Sequence, residues 1–142
     1  MTSAFWYHAT TKESAESILT EGFKISPVKN GNFLGRGIYF ANDLETVKKY
    51  GDIVFRCTIT LDNIFYSEVG KEVVDLRATF VEDSSMRLGD QLKLHFVAQH
   101  YDGINIPANA QLTKQRKLVI YNPSLIHIVD WVSVNEQTII SN

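Results

Sequence analysis

The chain has 142 residues, 44% of them hydrophobic, and fourteen basic against sixteen acidic side chains leave a net charge of -2. This is one domain, 1–142, with apolar material for its own core, and its charge balance offers no general attraction to nucleic acid or an anionic membrane. A single cysteine, Cys57, excludes an internal disulfide and a cysteine-rich zinc site, and no run approaches the ~18 apolar residues of a membrane span.

Phe5-Trp6-Tyr7-His8 reads as a short buried strand. Thr10-x-x-Glu13 matches a capping box, Ala15, Ile18 and Leu19 follow at helical spacing, and Gly22 fits the position past the helix end. Residues 26–34 are rich in turn formers and read as a loop. Ile38–Ala41 is a short strand, and Asn42-x-x-Glu45 repeats the capping pattern before a short helix that stops near Gly51. Ile53, Phe55, Cys57, Ile59 and Leu61 alternate with Val54, Arg56, Thr58 and Thr60, the clearest strand in the chain. Residues 68–84 are charged and ambiguous, and 86–100 are helical, with Leu88, Leu92 and Phe96 one turn apart. A turn at Tyr101-Asp102-Gly103 leads to a strand over 104–106. A polar, partly basic loop is expected over 107–116, with strands over 118–121 and 126–132. Strands predominate without regular strand–helix alternation, so the fold class is α+β with a mainly antiparallel or mixed sheet.

Few residues carry chemistry on their own. A strand histidine such as His8 is most often a satisfied core or surface residue, and Tyr39 and Tyr50 are most simply core aromatics. Gly35 and Gly37 bracket Arg36 at a loop–strand junction, which suggests a special backbone conformation or close approach by a ligand. His95 and His100 are five apart and do not share a helix face as ligands would, so no metal site is expected. His127 alternates with Ile126 and Ile128 and should face solvent, whereas Cys57 lies on the apolar face of its strand as a buried thiol. Glu68, Glu72 and Asp75, like Lys114, Arg116 and Lys117, are each most simply a solvated charged stretch.

Taken together, Trp6-Tyr7-His8-Ala9-Thr10, Gly35-Arg36-Gly37-Ile38-Tyr39-Phe40-Ala41 and Tyr50 form a specific constellation. It resembles the nicotinamide pocket of the ADP-ribosyltransferase family, in the His-Tyr-Glu branch that includes the poly(ADP-ribose) polymerases. Residues 101–124 resemble that family's last strand and its exit more weakly. The resemblance implies a split two-sheet sandwich with short flanking helices and NAD, as substrate, in the cleft between the sheets. It implies that His8 bonds the nicotinamide ribose and the backbone of Ala9 reads the carboxamide. Tyr39 and Tyr50 would then stack on the ring, with Gly37 and Thr10 lining the pocket.

The chain departs from the family pattern at three places. Ala9 replaces a common glycine, and Val47 replaces a serine that bonds the carboxamide. The third departure is larger, because Lys117 falls at the glutamate position. Cleavage of the nicotinamide–ribose bond builds positive charge on the ribose. A carboxylate there stabilises that charge and can orient or deprotonate the acceptor. An ammonium about 5 Å away opposes it by about 1–3 kcal/mol. Among the catalytic set His8, Tyr39 and Lys117, the lysine is therefore the residue that decides the outcome.

The resemblance implies mono-ADP-ribosyl transfer from NAD to a macromolecule, without chain elongation. The acceptor would be a protein rather than a nucleic acid, and the enzyme a cytoplasmic monomer away from membranes. The alternative is a catalytically defective module that binds NAD, ADP-ribose or a protein partner without turnover. A third reading, the RNA 2′-phosphotransferase branch of the related fold, lacks its arginine-rich site in this sequence.

Overall fold

Seven strands and four α-helices make up the computed structural model, which describes residues 5–25, 33–82, 86–109 and 111–134. The class is α+β, with a mixed sheet. Strand β1 (Trp6–Thr10) leads into α1 (Lys12–Glu21), whose cap is Thr11 rather than the expected Thr10. The Thr11 hydroxyl accepts from Ser14 N, the bond that an N-cap makes to the first turn. Of the expected loop over 26–34, residues 26–32 lie outside the described residues. Strand β2 (Ile38–Ala41) and helix α2 (Leu44–Val47) follow. Asp43, not Asn42, caps α2 by accepting from Glu45 N. One 3₁₀ turn, Lys48–Tyr50, ends the segment, and β3 (Ile53–Ile59) follows the predicted alternation but stops two residues short of Leu61.

The second half holds more order than its composition suggests. A short strand, β4 (Ile64–Tyr66), and a short helix, α3 (Lys71–Arg77), occupy the ambiguous charged region. Helix α4 (Leu88–Ala98) covers the middle of the predicted helix. The polar stretch 107–116 is not a loop. It belongs to two paired strands, β5 (Gly103–Asn109) and β6 (Leu112–Ile120). Strand β7 (Ile126–Ser133) completes the set.

The strands are ordered β4-β5-β6-β2-β1-β3-β7 in one sheet, where two separate sheets are expected from the resemblance. The pairs are antiparallel except β4 with β5. The middle of this sheet is thin. β1 and β3 are matched at five positions, and β2 and β6 at four. β1 and β2 are matched only at Tyr7↔Ala41, so four strands and three strands meet at a narrow seam.

Directly opposed residues of an antiparallel pair share a face, and the two faces have separate cores. On one face Trp6, Phe40, Phe55, Cys57, Leu118 and Ile120 pack with Ala15 and Ile18 of α1. On the other, Val119 and Ile104 pack with Val73 of α3 and Leu92 and Phe96 of α4. Also apart from the first core, Ala41 and Val54 are capped by Val47 and Leu44 of α2. Cys57 is fully buried, as its position on the strand predicts, and burial pushes its thiol pKa up to about 12. His127 is exposed. Among the described residues no helix is long and apolar enough to cross a membrane.

Candidate functional site

His8 sits at the seam. Past Tyr7 no residue of β1 is matched with β2, and the imidazole spans the gap instead. Its Nδ1 lies 2.7 Å from the carbonyl oxygen of Tyr39. A carbonyl only accepts, so Nδ1 carries the proton and donates. Burial lowers the ring's pKa, opposed by this same bond. A neutral ring with Nδ1 protonated presents Nε2 as an acceptor. Phe23 packs edge-on against the ring, and Phe40 lies tilted beside it.

Two cavities meet at His8. The larger, about 320 Å³, is lined by Ala9, Tyr39, Ala41, Val47, Tyr50 and Lys117 along with His8. The smaller, about 280 Å³, lies against α1 and is lined by His8, Thr10, Ser14, Ser17, Gly37 and Lys24 among others. The structure therefore gathers His8, Ala9, Tyr39, Tyr50 and Lys117 around one space. Thr10 and Gly37 line the adjoining space rather than the same pocket. The split follows from strand alternation, because Ala9 and Thr10 point to opposite faces.

Tyr39 is anchored at both of its polar positions. Its hydroxyl donates to Gly35 O at 2.6 Å and accepts from Leu34 N at 3.1 Å. Burial raises its pKa well above the usual phenol value. Tyr121 donates to Leu34 O at 2.6 Å, and Asp90 on α4 accepts from Arg36 N at 3.0 Å. Loop 33–37 is thus held by three side chains, the partly buried Tyr39 of β2 and the buried Asp90 of α4 and Tyr121 just past β6. The paired glycines have local reasons. Gly35 has φ 84°, and a Cβ on Gly37 would come within 2.6 Å of Val119 Cγ2 and 2.9 Å of Ile120 O. Gly37 is therefore required by close packing of β2 on β6.

Tyr50 stands at the rim of the larger cavity, 64% exposed, with Lys49 Nζ 5.4 Å from its ring centre. It makes no ring contact with Tyr39 in this structure. Val47, at the position where the family pattern has serine, is a buried wall of the cavity.

Lys117 is on β6, opposite Ala41 of β2 and Ile106 of β5, and is half-buried. Its neighbour Arg116 was expected in a solvated loop and is instead 7% exposed. All five Arg116 N–H donors are engaged. Nε donates to Asn105 Oδ1, Nη1 to Glu68 O and Thr113 O, and Nη2 to Ser67 O and Asn105 O. The guanidinium also lies 4.5 Å from the centre of the Tyr66 ring. Nothing in the sequence pattern distinguishes this structural arginine from its solvated neighbours. Asn42, expected as a helix cap, bonds β6 through its side chain, accepting from Arg116 N and donating to Lys114 O.

The described residues lining the larger cavity include no carboxylate. Glu72 and Asp75 on α3 do not line it, and they are engaged by Ser67 and Lys71 respectively. Among the described residues no group of three or more His, Cys, Asp or Glu could hold a metal ion. Compared with known proteins, the chain matches no protein-family model and no curated protein.

Proposed function

We propose that the protein is an ADP-ribosyltransferase that binds NAD across the seam between β1 and β2 and transfers a single ADP-ribose to a protein. The observation that carries this reading is the convergence of His8, Ala9, Tyr39, Tyr50 and Lys117 on one cavity from three separate stretches of chain. The narrow seam supports the split-sandwich form of the fold. The neutral His8 presents an acceptor nitrogen suited to a ribose hydroxyl, and Tyr39 presents a fixed aromatic ring suited to nicotinamide. The Ser14, Ser17 and Thr10 hydroxyls of the adjoining cavity suit the polar remainder of the dinucleotide.

Calorimetry with NAD and with nicotinamide alone tests the binding half. Tyr39→Ala is expected to remove about 1–3 kcal/mol of affinity, the worth of a stacked cationic ring. Tyr39→Phe keeps the ring and is expected to stay within a few-fold of the parent. No heat from the parent protein at millimolar NAD would sink the NAD reading.

A second reading, a binding module without turnover, is favoured by the carboxylate-free lining. Nicotinamide release from NAD separates the two. Binding without release supports the module, and release supports the enzyme.

His8 also gives a pH dependence of stability. Its folded pKa lies below the ordinary value of about 6.5. Below that pH the unfolded chain takes up a proton that the folded chain refuses, so stability falls as pH falls. The slope from this group is at most about 1.4 kcal/mol per pH unit. Denaturant titrations between pH 5 and 7 should show it, and His8→Gln should flatten it. An equal slope in both proteins would assign the dependence to other groups.

A further inference from the structure

We propose that Arg36 and Lys93 form a binding site for a phosphate group where loop 33–37 crosses α4. Neither residue lines the two cavities that meet at His8, and the site stands apart from the transferase reading. The crossing is tight, since a Cβ on Gly35 would fall 2.5 Å from Gly89 O and 2.8 Å from Lys93 Cβ. It brings two cations to one carboxylate. Asp90 is 7% exposed, and its Oδ1 accepts from Arg36 N at 3.0 Å and lies 3.5 Å from Arg36 Nε. Lys93, one turn further along α4, makes no ion pair or hydrogen bond among the described residues. Its Nζ lies 5.2 Å from the centre of the Tyr121 ring instead. Burial lowers the pKa of this amine and the charge of Arg36 lowers it further, with Asp90 opposing. The ammonium is thus partly desolvated beside a like charge, and the carboxylate that favours it is committed to Arg36.

An anion that accepts from both cations removes this imbalance. A phosphate group carries a charge of about -1.5 to -2 near neutral pH and several acceptor oxygen atoms. One such group can therefore meet the planar fork of a guanidinium and the point charge of an ammonium together. Chloride has a single charge and no set of oxygen atoms with which to bridge them. The Arg36 side chain is 34% exposed and Lys93 is half-buried, so both can be reached from solvent. Occupancy ties α4 to loop 33–37 beside Leu34 N and Gly35 O, the two groups that hold the Tyr39 hydroxyl. The site bears on the wall of the larger cavity from outside it.

The test uses the full chain, its lysines reductively methylated with a carbon-13 label for resonance titration, and inorganic phosphate as the probe. The Lys93 signal, identified by its loss in Lys93→Arg, is expected to titrate below that of the exposed Lys71. Phosphate is expected to raise the Lys93 midpoint by about half a unit or more, because an anion favours the charged form, and to leave Lys71 in place. In the unmethylated protein, phosphate at ten-fold excess over its Kd should raise the melting temperature by roughly 3–5 °C against chloride at equal ionic strength. Lys93→Gln and Arg36→Gln should each weaken phosphate binding about ten-fold, with Lys93→Arg retaining it. Adenosine monophosphate, with adenosine as its control, separates the sources. Tighter binding than phosphate assigns the site to a nucleotide, and equal binding assigns it to free phosphate. A Lys93 midpoint that phosphate does not move overturns the proposal, as does an equal movement at Lys71. A gain in melting temperature that survives Lys93→Gln also overturns it, because that gain belongs to salt in general. None of these outcomes depends on NAD, so the phosphate site and the transferase reading fail separately.

Discussion

Arg116→Ala is expected to lower the melting temperature by roughly 10–15 °C, from a loss of about 3–5 kcal/mol. The side chain is 7% exposed and joins the middle of β6 to Asn105 of β5 and to Ser67 just past the end of β4. Truncation removes five charge-assisted hydrogen bonds at once. It also leaves the backbone carbonyl oxygen of Ser67 and the side-chain carbonyl oxygen of Asn105 facing a void, and these are the costly part, because an unpartnered buried acceptor forfeits its hydration. Arg116→Lys should recover little, since one ammonium cannot reproduce a planar fork that spans residues 67, 68, 105 and 113. Scanning calorimetry of the two variants measures both effects. A shift of only a few degrees for alanine would mean that water enters and satisfies those carbonyls. The consequence reaches the candidate site, because Arg116 fixes the stretch of β6 from which Lys117 projects.

How much of this was legible depended on whether the signal was local. The alternation from Ile53 to Ile59 reports burial on one face, and the strand is where it should be. The first helix was legible from its apolar spacing and its stop, and its cap moved by one residue because Thr10 and Thr11 offer the same hydroxyl chemistry. The polar run 107–116 misled because its order comes from non-local partners. Asn105, Ser67 and Glu68 satisfy Arg116, and Asn42 zips the backbone of β6. Composition cannot reveal partners that lie 11 to 74 residues away. Strand β4 was missed for a related reason. Three residues show no period, and only pairing with β5 defines them. The candidate site was legible as a set of residue types at set distances. Its division into two cavities was not, because that depends on the single-pair seam between β1 and β2.

Lys117→Glu is expected to raise acceptor-free nicotinamide release from NAD by ten-fold or more. The backbone of residue 117 is held between Ala41 on one side and Ile106 on the other, so a replacement side chain starts from the same place. Ala41 is small and leaves room beside it. The exchange removes a positive charge and installs a negative one in a cavity whose described lining holds no other carboxylate. Each half of that change shifts the energy of a developing positive ribose by about 1–3 kcal/mol at about 5 Å, and about 1.4 kcal/mol is one decade of rate. Lys117→Gln makes only the first half of the change and should fall between the two on a logarithmic scale. This ordering separates electrostatics from a change in shape, since glutamine and glutamate are nearly isosteric. Chromatographic quantification of free nicotinamide measures it directly. Equal rates for lysine, glutamine and glutamate would make residue 117 a bystander to the chemistry. A glutamate variant that matches the glutamine variant would show that the new carboxylate does not reach the ribose. A graded rise would identify the lysine as the restraint on NAD cleavage.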